Sequence, residues 1–308
     1  MRARFHRRMF RIALPSRKLL LGDRTLVMGV LNVTPDSFSD GGLYFQSDAA
    51  IARALEIEQQ GADILDIGAE STRPGSQGIS PEEELRRLLP VLEALRGRLK
   101  IPISIDTSKS AVAEAAAAAG AQILNDVTAL RTDLRIAEVA RRHRLPLILM
   151  HMRGEPRTMQ KLPFARNVLR DVSTGLRRAA AAAVRAGIAR SQIILDPGVG
   201  FGKSYPQNLE LLARLPELAA LGFPLLIGTS RKTFIGRVLG GVPESGRAWG
   251  TAATVTASIL GGAHIVRVHD VAEMVQVARL ADAVLQPHRV AAQKMDSAIV
   301  RPGTPGST

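Results

Sequence analysis

A chain of 308 residues, 46% hydrophobic but only 4% aromatic, is long enough for one large domain, and its aliphatic, alanine-rich composition suits helices packed round a parallel sheet. The absence of cysteine excludes a disulfide framework, a thiolate nucleophile and cysteine metal sites, and no apolar run approaches the ~18 residues of a membrane span. The formal charge of +13 does not argue for nucleic acid, because seven of the basic residues fall in the first 18 positions and basic and aromatic residues are not interleaved. No nucleic-acid or membrane partner is expected, and a cytoplasmic location is.

Residues 1–24 form a basic arm without the ~7–15-residue apolar core of a secretion signal, and an N-terminal hairpin or arm covering the bottom of the fold is expected. The first strand, 27–32, runs into TPDSFSDGGLYF, a segment rich in Ser, Asp and Gly that reads as a mobile active-site loop over 34–45. A helix over 47–60, closed by Gly61, leads to a second strand over 64–69 and the loop Glu70, Ser71, Thr72, Arg73, Pro74, Gly75. Ser80, Pro81 and Glu83 then supply an N-cap, a first-turn proline and a capping-box acid. The third strand ends at Asp106, with Thr107 or Ser108 capping the next helix; the fourth ends at Asn125–Asp126 and the fifth at Met150–His151. A long helix to Arg185, closed at Gly187, precedes IILDPGVGFGK, residues 193–203, where Pro197 and Gly198 stop a buried apolar run and leave Asp196 at its carboxyl end. A helix over 208–215, a seventh strand over 225–228 ending in TSRK, a helix over 249–260 and an eighth strand carrying Arg267 and His269 complete the pattern. The tail from 286 is polar and is expected to be flexible.

Eight buried strands separated by helices predict one (β/α)8 TIM barrel over 25–285, whose active site lies at the carboxyl ends of its strands. The polar residues that terminate the strands therefore belong to one mouth. A single carboxylate such as Asp106 is as readily a helix N-cap as a ligand. Asp106, Asn125 and Asp196 together suit a heterocycle with adjacent hydrogen-bond donors and acceptors. Arg73, Lys232, Arg267 and His269 form an opposite, cationic or donor set able to hold phosphate, although Lys232 could instead be a Schiff-base lysine. Asn32 offers a neutral oxygen suited to a Mg²⁺ that keeps most of its waters and rides on a substrate phosphate. Met150 and Phe201 are either core or the faces against which a flat ring packs. Gly202, Lys203 and Ser204 nearly complete a phosphate loop, but Pro197 replaces its first glycine and that reading is rejected.

The segments LNVTPDSFSDGG (31–42), ESTRPG (70–75), IDTSK (105–109), LMHMRGEPRTMQ (149–160), LDPGVGFGK (195–203), TSRKTFIG (229–236) and RVHD (267–270) resemble the bacterial dihydropteroate synthase family over about 27–285. The resemblance implies a transferase of folate biosynthesis, and a sulfonamide target, that joins 7,8-dihydropterin-6-ylmethyl diphosphate to 4-aminobenzoate by dissociative substitution. It implies that Asp106, Asn125, Asp196 and Lys232 hold the pterin, with Met150 near its face. It places Asn32 on Mg²⁺, and Thr72, Arg73, Arg267 and His269 at the diphosphate or its covering loop. Phe201, Ser230 and Thr34, Pro35 and Phe38 of the loop 34–38 shape the aminobenzoate pocket, and a homodimer is expected. Ala69 departs from the glycine of many relatives. A pterin-binding methyltransferase would share Asp106, Asn125 and Asp196, but would have no use for Arg267, His269 and the loop 34–38; an arginine-rich RNA binder would account only for residues 1–18.

Overall fold

The computed structural model describes residues 7–34, 43–71, 76, 78–155, 158–159 and 164–287. Phe10–Ala13 (β1) and Lys18–Leu21 (β2) pair as an antiparallel hairpin with Phe10 opposite Leu21. The barrel strands are Leu26–Asn32 (β3), Ile64–Gly68 (β4), Ile103–Asp106 (β5), Ile123–Asp126 (β6), Leu147–Met150 (β7), Ile193–Asp196 (β8), Leu226–Ile227 (β9) and Ile265–Val268 (β10). They run parallel in the spatial order β8-β7-β6-β5-β4-β3-β10-β9, and a parallel bridge between Leu195 and Leu225 joins the two ends. The eight expected strands are thus present, in a closed barrel.

Around it lie Leu43–Gln59 (α1), Pro81–Leu95 (α2), Ser110–Ala118 (α3), Arg135–His143 (α4), Val168–Arg185 (α5), Tyr205–Ala213 (α6), Leu215–Ala219 (α7), Thr233–Val238 (α8), Ala248–Leu260 (α9) and Val271–Leu285 (α10). Among the described residues no helix is long and apolar enough to cross a membrane. α1 begins at Leu43, so the last three residues of the expected loop are helix; Gly42 is the final breaker, and a helix can start directly after it. Ser80 caps α2 as expected, its hydroxyl accepting from the Glu83 amide. The Glu83 carboxylate does not complete the box, because Arg86 and Arg87 take it at 2.7 Å each. Neither Thr107 nor Ser108 caps α3; the Asp133 carboxylate accepts from the Ser110 amide at 3.0 Å across the next loop. The short helices α7 and α8 carry too few apolar positions to show a period in sequence.

Side chains along each strand alternate between the helices outside and the barrel interior. Leu65, Ile67, Ile105, Leu124, Leu147, Leu149, Leu195, Val266 and Val268 face outward into the main core. Met28, Ile64, Ile123, Ile148, Ile194, Leu226 and Ile265 point inward and form a floor, which Ile12, Leu14, Leu19 and Leu21 of the hairpin close from below. Arg7 fastens the arm: its buried guanidinium donates to Thr25 Oγ1 and Ala263 O and pairs with Asp282 of α10. The hairpin is therefore part of the barrel's bottom core rather than a solvated arm. Truncating Ile12 to Val should cost about 0.5–1.5 kcal/mol in denaturant unfolding while leaving turnover unchanged, since the floor lies at the end opposite the strand carboxyl termini. Unaltered stability would show that the hairpin is not seated as described.

Candidate active site

The interior position two residues after each floor residue lies one layer higher, nearer the carboxyl end of its strand. Ile64 is followed by Asp66, Ile123 by Asn125, Ile148 by Met150, Ile194 by Asp196 and Ile265 by Arg267. Period-two alternation thus places a polar side chain above the apolar floor on four of the seven strands, while Met28, Ile148 and Leu226 are followed by Val30, Met150 and Gly228. This layer, with Asp106 at the end of β5, stands at the base of a cleft of about 1180 Å³ whose lining includes Asn32, Thr34, Phe201, Ser230, Lys232 and His269.

Arg267 binds the layer together. Its Nε donates to Asp66 Oδ2 at 2.6 Å and its Nη2 to Asp106 Oδ2 at 3.0 Å, while Asn125 Nδ2 donates to the same Asp66 oxygen at 3.1 Å. The resemblance places Arg267 at the diphosphate or its covering loop; in this structure the guanidinium lines the cleft and bridges two carboxylates inside the barrel. Burial pushes the Asp106 carboxyl up to about 7, against the pull of Arg267, and Asp66 adds to the rise. Burial likewise pushes Asp196 up to about 6, partly offset by the Gly198 amide and by Lys232. Both carboxyl groups thus keep their protons to a higher pH than isolated strand-end acids would. Asp196 Oδ1 accepts from Gly198 N at 2.7 Å, which leaves Oδ2 as its second acceptor.

The glycine-rich turn after β8 is built around a lysine. Lys203 is buried, and its Nζ donates to Gly198 O at 2.9 Å, Phe201 O at 3.0 Å and His151 O at 3.1 Å, with His151 Nδ1 also 3.1 Å away. Burial lowers its pKa to about 7. The amine therefore staples the turn to the segment after β7, and the phosphate-loop likeness of the sequence reflects no phosphate role. Gly198 has φ 65°, and a Cβ there would lie 2.0 Å from His151 O, so only glycine passes. The turn presents Phe201, whose ring lies 3.9 Å from Lys232 Nζ, a cation–π contact. Val127, Met150, Met152 and Met159 pack together beside Phe201 as an apolar wall.

On the opposite rim, Ser230 Oγ accepts from the His269 amide at 3.2 Å and lies 3.0 Å from His269 Nδ1. The hydroxyl has one hydrogen to give and two lone pairs to accept with, so Ser230 holds both the amide and the ring, and the neutral imidazole carries one N–H donor. Burial, reinforced by Arg267, Arg231 and Lys232, lowers His269 to about 3, so of the cationic and donor roles that the sequence offers it takes that of a neutral donor. Ser230 is correspondingly a partner of His269 as well as a wall residue. Arg231, held in a left-handed conformation at φ 59°, pairs with Asp270 and so ties the loop after β9 to the loop after β10.

The structure gathers Asn32, Thr34, Asp106, Asn125, Met150, Asp196, Phe201, Ser230, Lys232, Arg267 and His269 on one cleft. Pro35, Phe38, Thr72 and Arg73 lie outside the described residues. Sequence reading missed Asp66 and Lys203. Asp66 is enclosed by a run of apolar residues, and the signal was that enclosure itself: a carboxylate inside a buried strand needs a partner in the barrel.

The sequence profile of the pterin binding enzyme family matches residues 28–269. The dihydropteroate synthase of Synechocystis is 49% identical over 263 residues, covering 85% of this chain and 91% of its own. A structure of Xanthomonas albilineans dihydropteroate synthase with 4-aminobenzoic acid superposes with a TM-score of 0.84 at 43% identity, covering 91% of this chain and 99% of that one. Another of the same enzyme, in complex with 7,8-dihydropteroate, gives 0.81 at 42% identity over 90% and 99%.

Proposed function

The chain belongs to the pterin-binding enzymes, among the dihydropteroate synthases, and from that premise we propose that its cleft joins 7,8-dihydropterin-6-ylmethyl diphosphate to 4-aminobenzoate. The observation that carries this reading is the polar layer, in which Asp106, Asn125 and Asp196 offer acceptors at the base of one cleft beside the apolar wall around Met150. A pterin presents an edge of N–H donors and two flat faces, which that arrangement matches. Lys232, assigned to the pterin, lies against the Phe201 ring, assigned to the aminobenzoate pocket, and Thr34 and Ser230 share the cleft, which supports adjoining sites for the two substrates.

The reaction is a dissociative substitution. The C–O bond to diphosphate breaks with its electrons on oxygen, the pterin delocalises the methylene cation, and the aniline nitrogen forms the new C–N bond. The ammonium proton then leaves to solvent or diphosphate, so no strong base is required. Neutral His269 contributes as a hydrogen-bond donor to anionic oxygen, which it does without giving up its proton. Asn32 is the cleft residue that would hold Mg²⁺, and no cluster of three His, Cys, Asp or Glu able to hold a metal exists among the described residues. One amide oxygen fits a Mg²⁺ that arrives on substrate phosphate and keeps its waters. When bound, that ion neutralises charge on the leaving diphosphate. Asn32→Ala should therefore raise the Mg²⁺ concentration for half-maximal rate several-fold; an unchanged Mg²⁺ titration would remove Asn32 from that role.

Exposed Trp249, Leu280 and Val284 on the packed pair α9 and α10 support a homodimer, which analytical ultracentrifugation would test, and a cytoplasmic location belongs to the same proposal. The deciding experiment is turnover of purified protein with pterin diphosphate, 4-aminobenzoate and Mg²⁺, read as dihydropteroate. No product under those conditions would overturn the reading.

A further inference from the structure

Asp66 does not itself line the cleft described above; it is fully buried in the middle of β4, and one of its oxygens takes two hydrogen bonds from residues that do, Arg267 Nε at 2.6 Å and Asn125 Nδ2 at 3.1 Å. We propose that Asp66 is a positioning residue that sets the hydrogen-bonding face of the pterin site by fixing which end of the Asn125 amide meets the substrate. The role rests on the functional reading given above.

The Arg267 Nε–H is a donor in every state of the protein, so Asp66 Oδ2, which receives it, must be an acceptor. An oxygen already accepting from Arg267 accepts again from Asn125, and the amide group that can donate is the NH2. The Asn125 carbonyl oxygen is thereby turned away from Asp66, and Asn125 lines the cleft. Asn125 therefore offers the substrate an acceptor, alongside the acceptor oxygens of Asp106 and Asp196. Without the anchor the amide could rotate, and a donor would then oppose the pterin N–H groups. The same carboxylate oxygen fixes the plane of Arg267, whose other end holds Asp106. Asp66 thus acts on three substrate-facing residues through one atom.

Residues that act through one another are non-additive, whereas a merely structural residue lowers affinity independently of Asn125. The test is calorimetric titration of 6-hydroxymethyl-7,8-dihydropterin into wild type, Asp66→Ala, Asn125→Ala and the double variant, well below each variant's melting temperature. Asp66→Asn is included because its carbonyl oxygen can still accept both bonds and because it removes no volume. Asp66→Ala should weaken pterin binding about 10- to 150-fold in the wild-type background and severalfold less in the Asn125→Ala background, where only the route through Arg267 and Asp106 remains. Asp66→Asn should fall between wild type and Asp66→Ala. Equal losses in both backgrounds, or equal affinity of wild type and Asp66→Ala, would overturn the positioning role alone. Wild-type protein that binds no pterin would overturn the functional reading and this role with it.

Discussion

Asp196→Asn should bind a pterin roughly 10- to 150-fold more weakly than wild type and yet be the more stable protein at pH 8. Its affinity falls because Oδ1 is committed to the Gly198 amide at 2.7 Å. An asparagine keeps that bond with its carbonyl oxygen and turns its NH2 to the cleft, so a donor replaces an acceptor opposite the pterin edge; hydrogen bonds to charged groups contribute ~1.5–3 kcal/mol. Its stability rises because burial holds the native carboxyl at about 6, above its ordinary 3.8. The folded state then binds this proton more tightly than the unfolded state, so the stabilising contribution is complete below about 3.8 and is lost as pH rises through about 6. The ionised group costs the fold ~3 kcal/mol at pH 8, and the amide removes that cost. Calorimetric melting should place the variant above wild type at pH 8 and level with it at pH 4. Titration with a pterin lacking diphosphate isolates the binding term, and unchanged affinity would take Asp196 out of the site.

That opposition between stability and binding explains which parts of the molecule were legible in sequence. The strands declare themselves because each is a short apolar run cut by a polar residue and a breaker, as in Ile194, Leu195, Asp196, Pro197. Asp106, Asn125 and Asp196 are the visible exceptions to local apolar patterning, and such exceptions concentrate at functional sites. What the pattern could not supply is pairing across the barrel. Arg267 and Asp66 are 201 positions apart, and nothing local shows that a strand-end arginine is spent on a carboxylate in another strand. The same limit hid Lys203, whose acceptors are backbone carbonyls and so carry no side-chain signature. His269 was legible as a donor at the mouth, but its charge is set by burial and by Arg267, Arg231 and Lys232 converging from other loops. The capping-box role of Glu83 in α2 and the cap of α3 were misread for the same reason: Glu83 and Asp133 have a choice of partners that only the folded chain decides.

Arg267→Met should lower the unfolding free energy by about 3–5 kcal/mol and reduce turnover at least 100-fold, even though methionine fills much of the arginine's volume. The guanidinium is the counter-charge of Asp66, whose side chain is fully buried, and of Asp106, which is nearly so. Removing one partner of a buried ion pair leaves uncompensated charge, and the cost exceeds what the intact pair contributes. Asp106 already sits near 7 with Arg267 lowering it, so without the arginine its carboxyl rises further and takes up a proton at neutral pH. The sign of the pH dependence follows. A raised native pKa favours the fold below it, so the deficit of Arg267→Met should shrink as pH falls and widen as pH rises past neutrality. Arg267→Lys should recover less than half of the lost stability, because a single ammonium cannot span the two carboxylates as the planar guanidinium does. Denaturant melts at pH 5.5 and pH 8.5, with the double variant Arg267→Met/Asp106→Asn as the partial rescue, measure each of these directions. Wild-type stability in Arg267→Met at both pH values would show that the bridge between β4, β5 and β10 holds nothing together.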